Sequence, residues 1–571
     1  MHRSRVATIL LVAALLIFAQ STWAKKQTFD ELCLEIIESL QTFYPVRATE
    51  MGIHSHDFLL ADYTGKSVKG MIKSLNDFEK ELYRYREANL TPHQRLNYDL
   101  IKSNVDMALL DLRRIEWHKK SPMLYVNEAV DGIYFLMLSQ HAPLSEKRVA
   151  ILSRMKAVPG LFATAASNIK APPAIWIEAA QETLESGSRF YQEVAAELMR
   201  EFPGQADEIS RISTQAREAM NDFSVWLSDV PKGDETGFAI GKINFDYMLS
   251  NQFYLTFDSD SMLAIGEALL AEAQQAYSDY EQYVDEQHQN GANSVYVPKC
   301  VTVDDILDYY SWETEQVRLF SEESDFVSIP EDIADVSVIE TPPFLRSMIS
   351  GIAYQPAGPF DSLQRGYFYV RPLPRDMERD QLEARFRYVS RRGFKGSVVH
   401  EAFPGHHLQM QLAGRNSDPI RKWQMNLMMI EGWALYCEQA IYEQGLFGQE
   451  DPSQWLGVLG GIRFRAARIV ADVKLHTGQF TYQECVDWMI ETLGIESESS
   501  QAYIRKEVRR YTLSPTTQMS YLMGKLEILK LRQAAEARDG EEFSLRDFHD
   551  ALLAEGSVPP ALMWEVLGLG R

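Results

Sequence analysis

The chain has 571 residues, of which 80 are acidic and 57 are basic, so its formal net charge is −23. A surface this acidic repels phosphate backbones, and we therefore expect no nucleic-acid partner. Apolar residues make up 46% of the chain and charged residues 24%, a balance that excludes a disordered or fibrous protein. The four cysteines form no CxxC pair, which argues against a disulfide scaffold and against a cysteine-based zinc site.

The first 24 residues have the features of a secretory signal. Arg3 and Arg5 give a basic start, Val6–Ala19 is an uncharged apolar run, and Ala24 is a small residue at the expected cleavage point. Because the apolar run of 14 residues is short for a bilayer crossing, we expect cleavage near Ala24; an uncleaved membrane anchor is the alternative. The mature chain is then expected to be secreted or periplasmic, without stable membrane insertion.

The mature chain has a predominantly helical pattern. Met262, Ile265, Leu269 and Ala273 are spaced by three or four residues, which places them on one face of a helix, and Asp258–Asp260 offers its N-cap. Comparable spacing predicts further helices within residues 77–114, 145–163, 181–201 and 205–227. The sequence therefore predicts a mainly α, multi-helix fold.

The most open linker is residues 229–241, which contains one proline and three glycines. We place a soft boundary there. It separates an N-terminal helical region at residues 25–235 from a second region at residues 236–571.

Gly366–Pro372 differs from its surroundings because it is short, aromatic and β-branched, which predicts a strand within a small β-sheet. Pro372 favours a sheet edge, where a free strand can pair with an extended peptide, and Tyr367 and Tyr369 are then candidate substrate-binding residues. A buried structural strand is the alternative, and the sequence does not decide between them.

The chemically most informative segment contains His400, Glu401, His406 and His407. Neutral imidazole is a common zinc ligand, and a glutamate beside a ligand is placed to act on a metal-bound water. On an unbroken helix a gap of six residues would turn His406 about 240° away from His400. Pro404–Gly405 can break the helix and return His406 to the side of His400.

Glu431 follows the apolar run Leu427–Ile430, 31 residues after His400. A glutamate embedded in an apolar helix is costly unless it is paired or bound to a metal. Two histidines and one glutamate on neighbouring helices form a three-ligand zinc site with an open position for water, as in hydrolytic zinc enzymes.

These motifs, HEAFPGHHLQ and EGWALY, resemble the DUF885 family, a group of bacterial, often exported, predicted zinc metallopeptidases, and more distantly the helical gluzincin peptidases. The resemblance also takes in Tyr354–Pro356, Gly366–Pro372, Arg468–His476 and Pro515–Arg532.

The resemblance implies one zinc per chain, bound by His400, His406 and Glu431, with Glu401 as the catalytic carboxylate. It favours His406 over His407 as the ligand, which leaves His407 a supporting role next to the site. It also implies that residues 236–571 are catalytic and that both regions form one unit.

Further residues are candidates for supporting roles. Tyr521 is a candidate oxyanion donor, because helical gluzincins tend to use a late tyrosine; Tyr511 competes with it, and a packed aromatic is the alternative. Asp472 and His476 lie four apart on one helix, either as an ordinary pair or as support that orients a zinc-bound histidine.

Arg463, Arg465 and Arg468 form a basic cluster in an acidic chain. They either pair with acids or bind a peptide carboxylate, in which case Arg468 is a substrate-binding residue. The sequence leaves both possibilities open.

The expected activity is hydrolysis of short, unfolded peptides, because helices on both sides of the metal motif predict a peptidase-like fold with a deep cleft between two helical lobes and the sheet near the active site. One alternative is a zinc hydrolase of another amide or ester, such as a cell-wall amide. Another is a non-catalytic exported peptide-binding protein. The sequence does not define the oligomeric state.

Overall fold

The computed structural model of the protein describes residues 27–570, except for 87–89, 290–301, 303–304, 343–345, 347–351, 384–393 and 447–452. Within these residues the fold is mainly α, as predicted, with a small three-stranded sheet. The predicted secretory signal lies outside the described residues.

Helices fill the N-terminal region. They are α1 (Phe29–Phe43), α2 (Pro45–Glu50), α3 (Gly65–Tyr83), α4 (Pro92–Leu109), α5 (Trp117–Lys120), α6 (Pro122–Leu138), α7 (Leu144–Asn168), α8 (Ala174–Glu201), α9 (Ala206–Asp229) and α10 (Lys242–Asn251). By length and composition α7 is apolar enough to cross a membrane, but half of its most apolar stretch is buried, which is also the property of a core helix.

The second region adds the sheet and the remaining helices. They are α11 (Ser259–Gln289), α12 (Asp305–Glu323), β1 (Ser337–Glu340), β2 (Ile352–Gln355), β3 (Tyr367–Val370), α13 (Phe394–Glu401), α14 (His406–Arg415), α15 (Pro419–Lys422), α16 (Leu427–Glu443), α17 (Ser453–His476), α18 (Tyr482–Leu493), α19 (Glu498–Tyr511), α20 (Thr517–Asp539), α21 (Leu545–Ala554) and α22 (Met563–Val566).

The face predicted for α11 is confirmed. Met262 and Ala273 are buried, and the other two predicted residues are partly buried against the same core. Asp258 accepts hydrogen bonds from the backbone N–H and the hydroxyl of Ser261, which lower the pKa of this carboxyl to about 2. The helix therefore begins where its N-cap was predicted, and it packs along α17.

The sheet has the strand order β1–β3–β2, with β1 parallel and β2 antiparallel to β3. Tyr367 of β3 lies opposite Ser337 on one side and Gln355 on the other. Of the two alternatives for Gly366–Pro372, the free edge is excluded because both sides of β3 are already paired, and the buried structural strand is the one observed. Pro372 lies beyond the end of the strand, so it does not require an edge position.

Both hydrophobic cores draw residues from the two sides of position 235. Trp176 of α8, for example, is fully buried and donates a hydrogen bond of 3.1 Å to the hydroxyl of Thr512. A cavity of about 550 Å³ also lies between the regions, where Tyr44 and Glu50 face Asn426 and Leu427 at the start of α16. The linker at residues 229–241 therefore does not separate two independent cores.

Candidate metal centre

The chain reverses between two short helices to bring His400 and His406 together. Helix α13 ends at Glu401 and α14 begins at His406. A Cβ atom on Gly405 would lie 2.0 Å from the carbonyl oxygen of His400, so only glycine permits this close return of the backbone. As a result, the two imidazole rings lie 4.7 Å apart between centroids, at 83° to each other.

Glu431 approaches both rings from α16. Its Oε2 atom lies 3.6 Å from Nε2 of His400 and 3.6 Å from Nε2 of His406. One donor atom from each of the three residues lies within 4.8 Å of the others. Ligands bound at about 2.0–2.2 Å in a tetrahedral zinc site lie about 3.3–3.6 Å from one another, so this donor set fits zinc in type and spacing.

A close crossing of α16 and α20 fixes the position of Glu431. A Cβ atom on Gly432 would lie 2.6 Å from the Cα atom of Gly524, and one on Gly524 would lie 2.1 Å from the carbonyl oxygen of Met428. The indole N–H of Trp433 also donates a hydrogen bond of 2.9 Å to the carbonyl of Pro404. The helix that carries Glu431 is thus held against both α20 and the turn before His406.

Glu438 forms a hydrogen bond with the second ring nitrogen of His400, a contact that the sequence analysis missed. Its Oε1 atom lies 2.8 Å from Nδ1 of His400 and 3.3 Å from the guanidinium of Arg465. This contact occupies Nδ1 and leaves Nε2 of His400 directed at Glu431, the usual arrangement of a carboxylate behind a metal-binding histidine. Glu438 lies seven residues after Glu431 on the same helix face, so its spacing could have predicted that it faces the same site.

The carboxylates make the centre favourable for a positive charge. Burial alone lowers the pKa of His400, but Glu431 and Glu438 outweigh it and raise this pKa to about 10. Burial raises the pKa of Glu431, yet its contacts with the two histidines bring it well below the usual range. A proton or a divalent cation can supply the positive charge that this arrangement favours.

His407 points away from the centre. Its Nε2 atom lies 2.7 Å from the carbonyl of Ala334 and its Nδ1 atom lies 3.0 Å from the hydroxyl of Tyr354. Burial lowers the pKa of His407 to about 4, so the ring is held neutral between a donor and an acceptor. Of the two adjacent histidines, His406 is the one that faces Glu431, and His407 joins the centre to the sheet.

Glu401 on α13 and Tyr521 on α20 lie near the centre, since the charge of Glu401 acts on His400 and the charge of Glu431 acts on Tyr521. Glu401 is half-buried at the end of α13, directly after His400. Burial raises the pKa of the Tyr521 hydroxyl, and the nearby charge of Glu431 raises it further. The hydroxyl of Tyr511, by contrast, donates to Glu507 at 3.2 Å, which favours Tyr521 over Tyr511 as a group that can reach the centre.

Asp472 and His476 form the ordinary i, i+4 pair that was one of the two alternatives, with Nε2 of His476 3.9 Å from Oδ1 of Asp472, and each also binds the backbone of another helix. The Asp472 carboxylate accepts hydrogen bonds of 2.9–3.0 Å from the backbone N–H groups of Thr516, Gln518 and Met519, at the start of α20. The Nε2 atom of His476 lies 2.9 Å from the carbonyl of Tyr511. Asp472 therefore fixes the beginning of the helix that carries Tyr521, His476 binds the end of α19, and the carboxylate that contacts His400 is Glu438 instead.

The three arginines of the basic cluster diverge. Arg463 stacks on Tyr277, with its guanidinium carbon 4.3 Å from the ring centroid, and Arg465 pairs with Glu438. Arg468 is buried, donates to Gln518 and lies 4.0 Å over the ring of Tyr521. The guanidinium carbon of Arg465 also lies 5.9 Å from the centroid of the Tyr521 ring, so two of the three arginines flank Tyr521 while Arg463 packs elsewhere.

The strand residues differ in their access to a substrate. Tyr369 is 2% exposed, so it is a core residue rather than a substrate-binding one. Tyr367 is half-buried and lines a small cavity together with Glu50 and Gln355. A peptide cannot pair with the backbone of β3, because both sides of that strand are occupied. The side chain of Tyr367 can still contact a ligand in the cavity.

The comparisons with known proteins agree with this architecture. The family described as "Bacterial protein of unknown function (DUF885)" matches residues 45–567, so the chain belongs to that family. No curated protein matches the chain. A solved structure of a presumed lipoprotein of unknown function from Shewanella oneidensis superposes with a TM-score of 0.74 at 20% identity, over 95% of this chain and 100% of that one.

A presumed lipoprotein from Colwellia psychrerythraea superposes with a TM-score of 0.75 at 18% identity, over 95% of this chain and 98% of that one. At these identities the two likenesses establish the fold alone.

Proposed function

We propose that the protein is an exported, zinc-dependent peptidase that hydrolyses short, unfolded peptides. The observation that carries this proposal is the convergence of His400, His406 and Glu431, with Glu401 adjacent and Glu438 behind His400. Two imidazoles and one carboxylate leave a fourth position open, which distinguishes catalytic from structural zinc sites.

The side chains around the centre have separate tasks. When bound, zinc polarises a carbonyl group and acidifies water. Glu401 accepts the proton of the attacking water and returns it to the leaving amine. The hydroxyl of Tyr521 donates a hydrogen bond to the developing oxyanion. Glu438 keeps Nε2 of His400 available, because it holds the proton of that ring on Nδ1.

A cavity that begins one helical turn from Glu431 supports the proposed substrate class. The cavity of about 550 Å³ between the two regions reaches Asn426 and Leu427, one helical turn before Glu431. Such a space accommodates an extended chain of a few residues but not a folded protein. Arg468, which packs on Tyr521, is the candidate to attract a peptide carboxylate if Tyr521 moves on binding.

Export is supported by the signal-like residues 1–24 and by the lipoprotein descriptions of the two structural neighbours. The first cysteine of this chain, Cys33, is fully buried in α1 and is therefore unsuited to lipid attachment. We propose a soluble protein outside the cytoplasm, which cell fractionation and N-terminal sequencing of the mature chain test.

The test of the activity is digestion of a peptide series by zinc-loaded protein, from tripeptides to small folded proteins, with other amides and esters in parallel. Glu401→Gln should retain zinc and lose at least about a hundredfold in kcat, because the amide cannot take a proton. Glu443→Gln, on the outer end of α16, is the matched control and should cleave normally.

Near-normal kcat in Glu401→Gln would refute the assigned base. Efficient cleavage of folded proteins would contradict the substrate class. Turnover of other amides or esters without cleavage of any peptide would move the protein to the alternative class of zinc hydrolases.

A further inference from the structure

A second group of metal-binding side chains lies outside the centre described above. His54 and Asp57 lie just after α2, and His141 lies between α6 and α7. Oδ2 of Asp57 is 2.9 Å from Nδ1 of His54 and 3.8 Å from Nε2 of His141. One donor atom from each of the three residues lies within 4.8 Å of the others.

Each of these side chains has its opposite polar atom held by another group. Nε2 of His54 lies 3.0 Å from Oδ1 of Asp361, and Nδ1 of His141 contacts the hydroxyl of Ser139. Oδ1 of Asp57 accepts a hydrogen bond of 2.7 Å from Thr49. Histidines and carboxylates that bind metals commonly have such outer partners, because these fix the orientation of the donor atom.

Buried contacts anchor the Asp57 and Asp361 side of this arrangement. Arg154 is fully buried and donates to the hydroxyl of Thr49 at 2.6 Å, so the group behind Asp57 is itself anchored. Gly52 has a φ of 84°, and a Cβ atom there would lie 2.5 Å from the backbone nitrogen of Asp361. Glycine at this position lets the segment that carries Asp361 pack against the end of α2 and reach His54.

We propose that His54, Asp57 and His141 bind a second divalent cation of the zinc type. Two imidazole nitrogens and one carboxylate oxygen form a borderline donor set that zinc accepts readily. The separation of 3.8 Å between His141 and Asp57 is close to the roughly 3.3–3.6 Å expected between tetrahedral ligands, and a bound cation would replace the 2.9 Å hydrogen bond between His54 and Asp57. This proposal does not rest on the peptidase proposal, since no residue is shared between the two sites.

The exposure of the three side chains allows a cation to enter. Asp57 is 4% exposed, whereas His54 and His141 are 19% and 23% exposed. The two rings are stacked, with centroids 3.4 Å apart. Cation binding therefore requires the stacked rings to separate, which a rotation of the His141 side chain about its contact with Ser139 would achieve.

The consequence of occupancy is structural. The cation would link the segment after α2 to the segment after α6, and through Asp361 to the chain that leads into β3. These segments border the small cavity that contains Glu50 and Tyr367. A bound cation would thus stabilise the wall of the N-terminal region that faces the sheet.

The test is titration of the metal-free, full mature chain with zinc chloride by isothermal calorimetry. We expect two zinc ions per chain in the wild type, one in His141→Ala, one in Glu431→Gln and none in the double variant. The matched control is His56→Ala, in the same turn as His54 but outside the donor set, which should still bind two.

Thermal unfolding gives a second readout that does not depend on activity. Zinc should raise the Tm of Glu431→Gln but not of the Glu431→Gln/His141→Ala double variant. Failure of Glu431→Gln to bind zinc, or unchanged binding in His141→Ala, would overturn the second site. Loss of zinc only in His141→Ala, with no change in Glu431→Gln, would instead contradict the centre at Glu431.

Discussion

Glu438 lies two helical turns after Glu431 and its carboxylate is 2.8 Å from Nδ1 of His400, so α16 supplies both a candidate ligand and the group that orients another. We predict that Glu438→Gln binds zinc about 10- to 100-fold more weakly, because the amide accepts the same hydrogen bond without the charge that makes the imidazole a better donor. Competition with a zinc chelator measures this change.

The control for this variant is Glu443→Gln on the same helix. Glu443 pairs with Arg532 at 3.3 Å and does not contact His400. Equal zinc affinity in the two variants would show that Glu438 serves only the packing of Arg465.

We predict that Tyr521→Phe retains zinc but loses about a hundredfold in kcat, with little change in KM, since the hydroxyl acts on the oxyanion rather than on the bound peptide. Tyr511→Phe is the matched control, because its hydroxyl is engaged by Glu507. If Tyr511→Phe shows the larger loss of kcat, the oxyanion donor has been assigned to the wrong tyrosine.

Gly405 is predicted to be the least replaceable glycine of the centre. Gly405→Ala should destabilise the protein by about 1–3 kcal/mol or more and weaken zinc binding, because its Cβ would overlap the carbonyl oxygen of His400. Gly396→Ala on α13 meets no atom within 4 Å and should be neutral or stabilising by up to about 1 kcal/mol. Urea denaturation compares them, and equal stability of the two variants would contradict the close return of the chain.

Asp131 on α6 is predicted to make stability depend on pH. Burial, with help from the charges of Glu50 and Glu128, raises the pKa of Asp131 to about 7, above the roughly 3.9 of an unfolded aspartate. The folded protein therefore loses stability from this group as the pH rises from about 4 to about 7. Asp131→Asn should gain stability over the wild type across that window and keep a constant gain above it, whereas a gain independent of pH would rule out this cause.

The sequence predicted those features of the candidate metal centre that depend on neighbouring residues in the chain. The Pro404–Gly405 interruption predicted that the chain could return His406 towards His400, and the structure has that reversal. The position of Glu431 in an apolar helix predicted a buried carboxylate in need of a partner, and it lies 3.6 Å from both histidines. In each case one or two neighbouring residues set the geometry.

The features of the site that depend on packing between distant segments could not be predicted from the sequence. Asp472 and His476 have the spacing of a supporting pair, but their partners are set by the packing of α17 on the start of α20 and on the end of α19. Likewise, the strand at Tyr367 is central because β1 and β2 arrive from other parts of the chain. The role of Glu438 was accessible from its helical register, but only once Glu431 and His400 were known to face each other.

The most direct test of the zinc centre is an anomalous difference map collected at the zinc edge from crystals of the zinc-loaded protein. We predict a peak about 2.0–2.2 Å from Nε2 of His400, Nε2 of His406 and a carboxylate oxygen of Glu431. A map without a peak between these three side chains, at full zinc loading, would contradict the account.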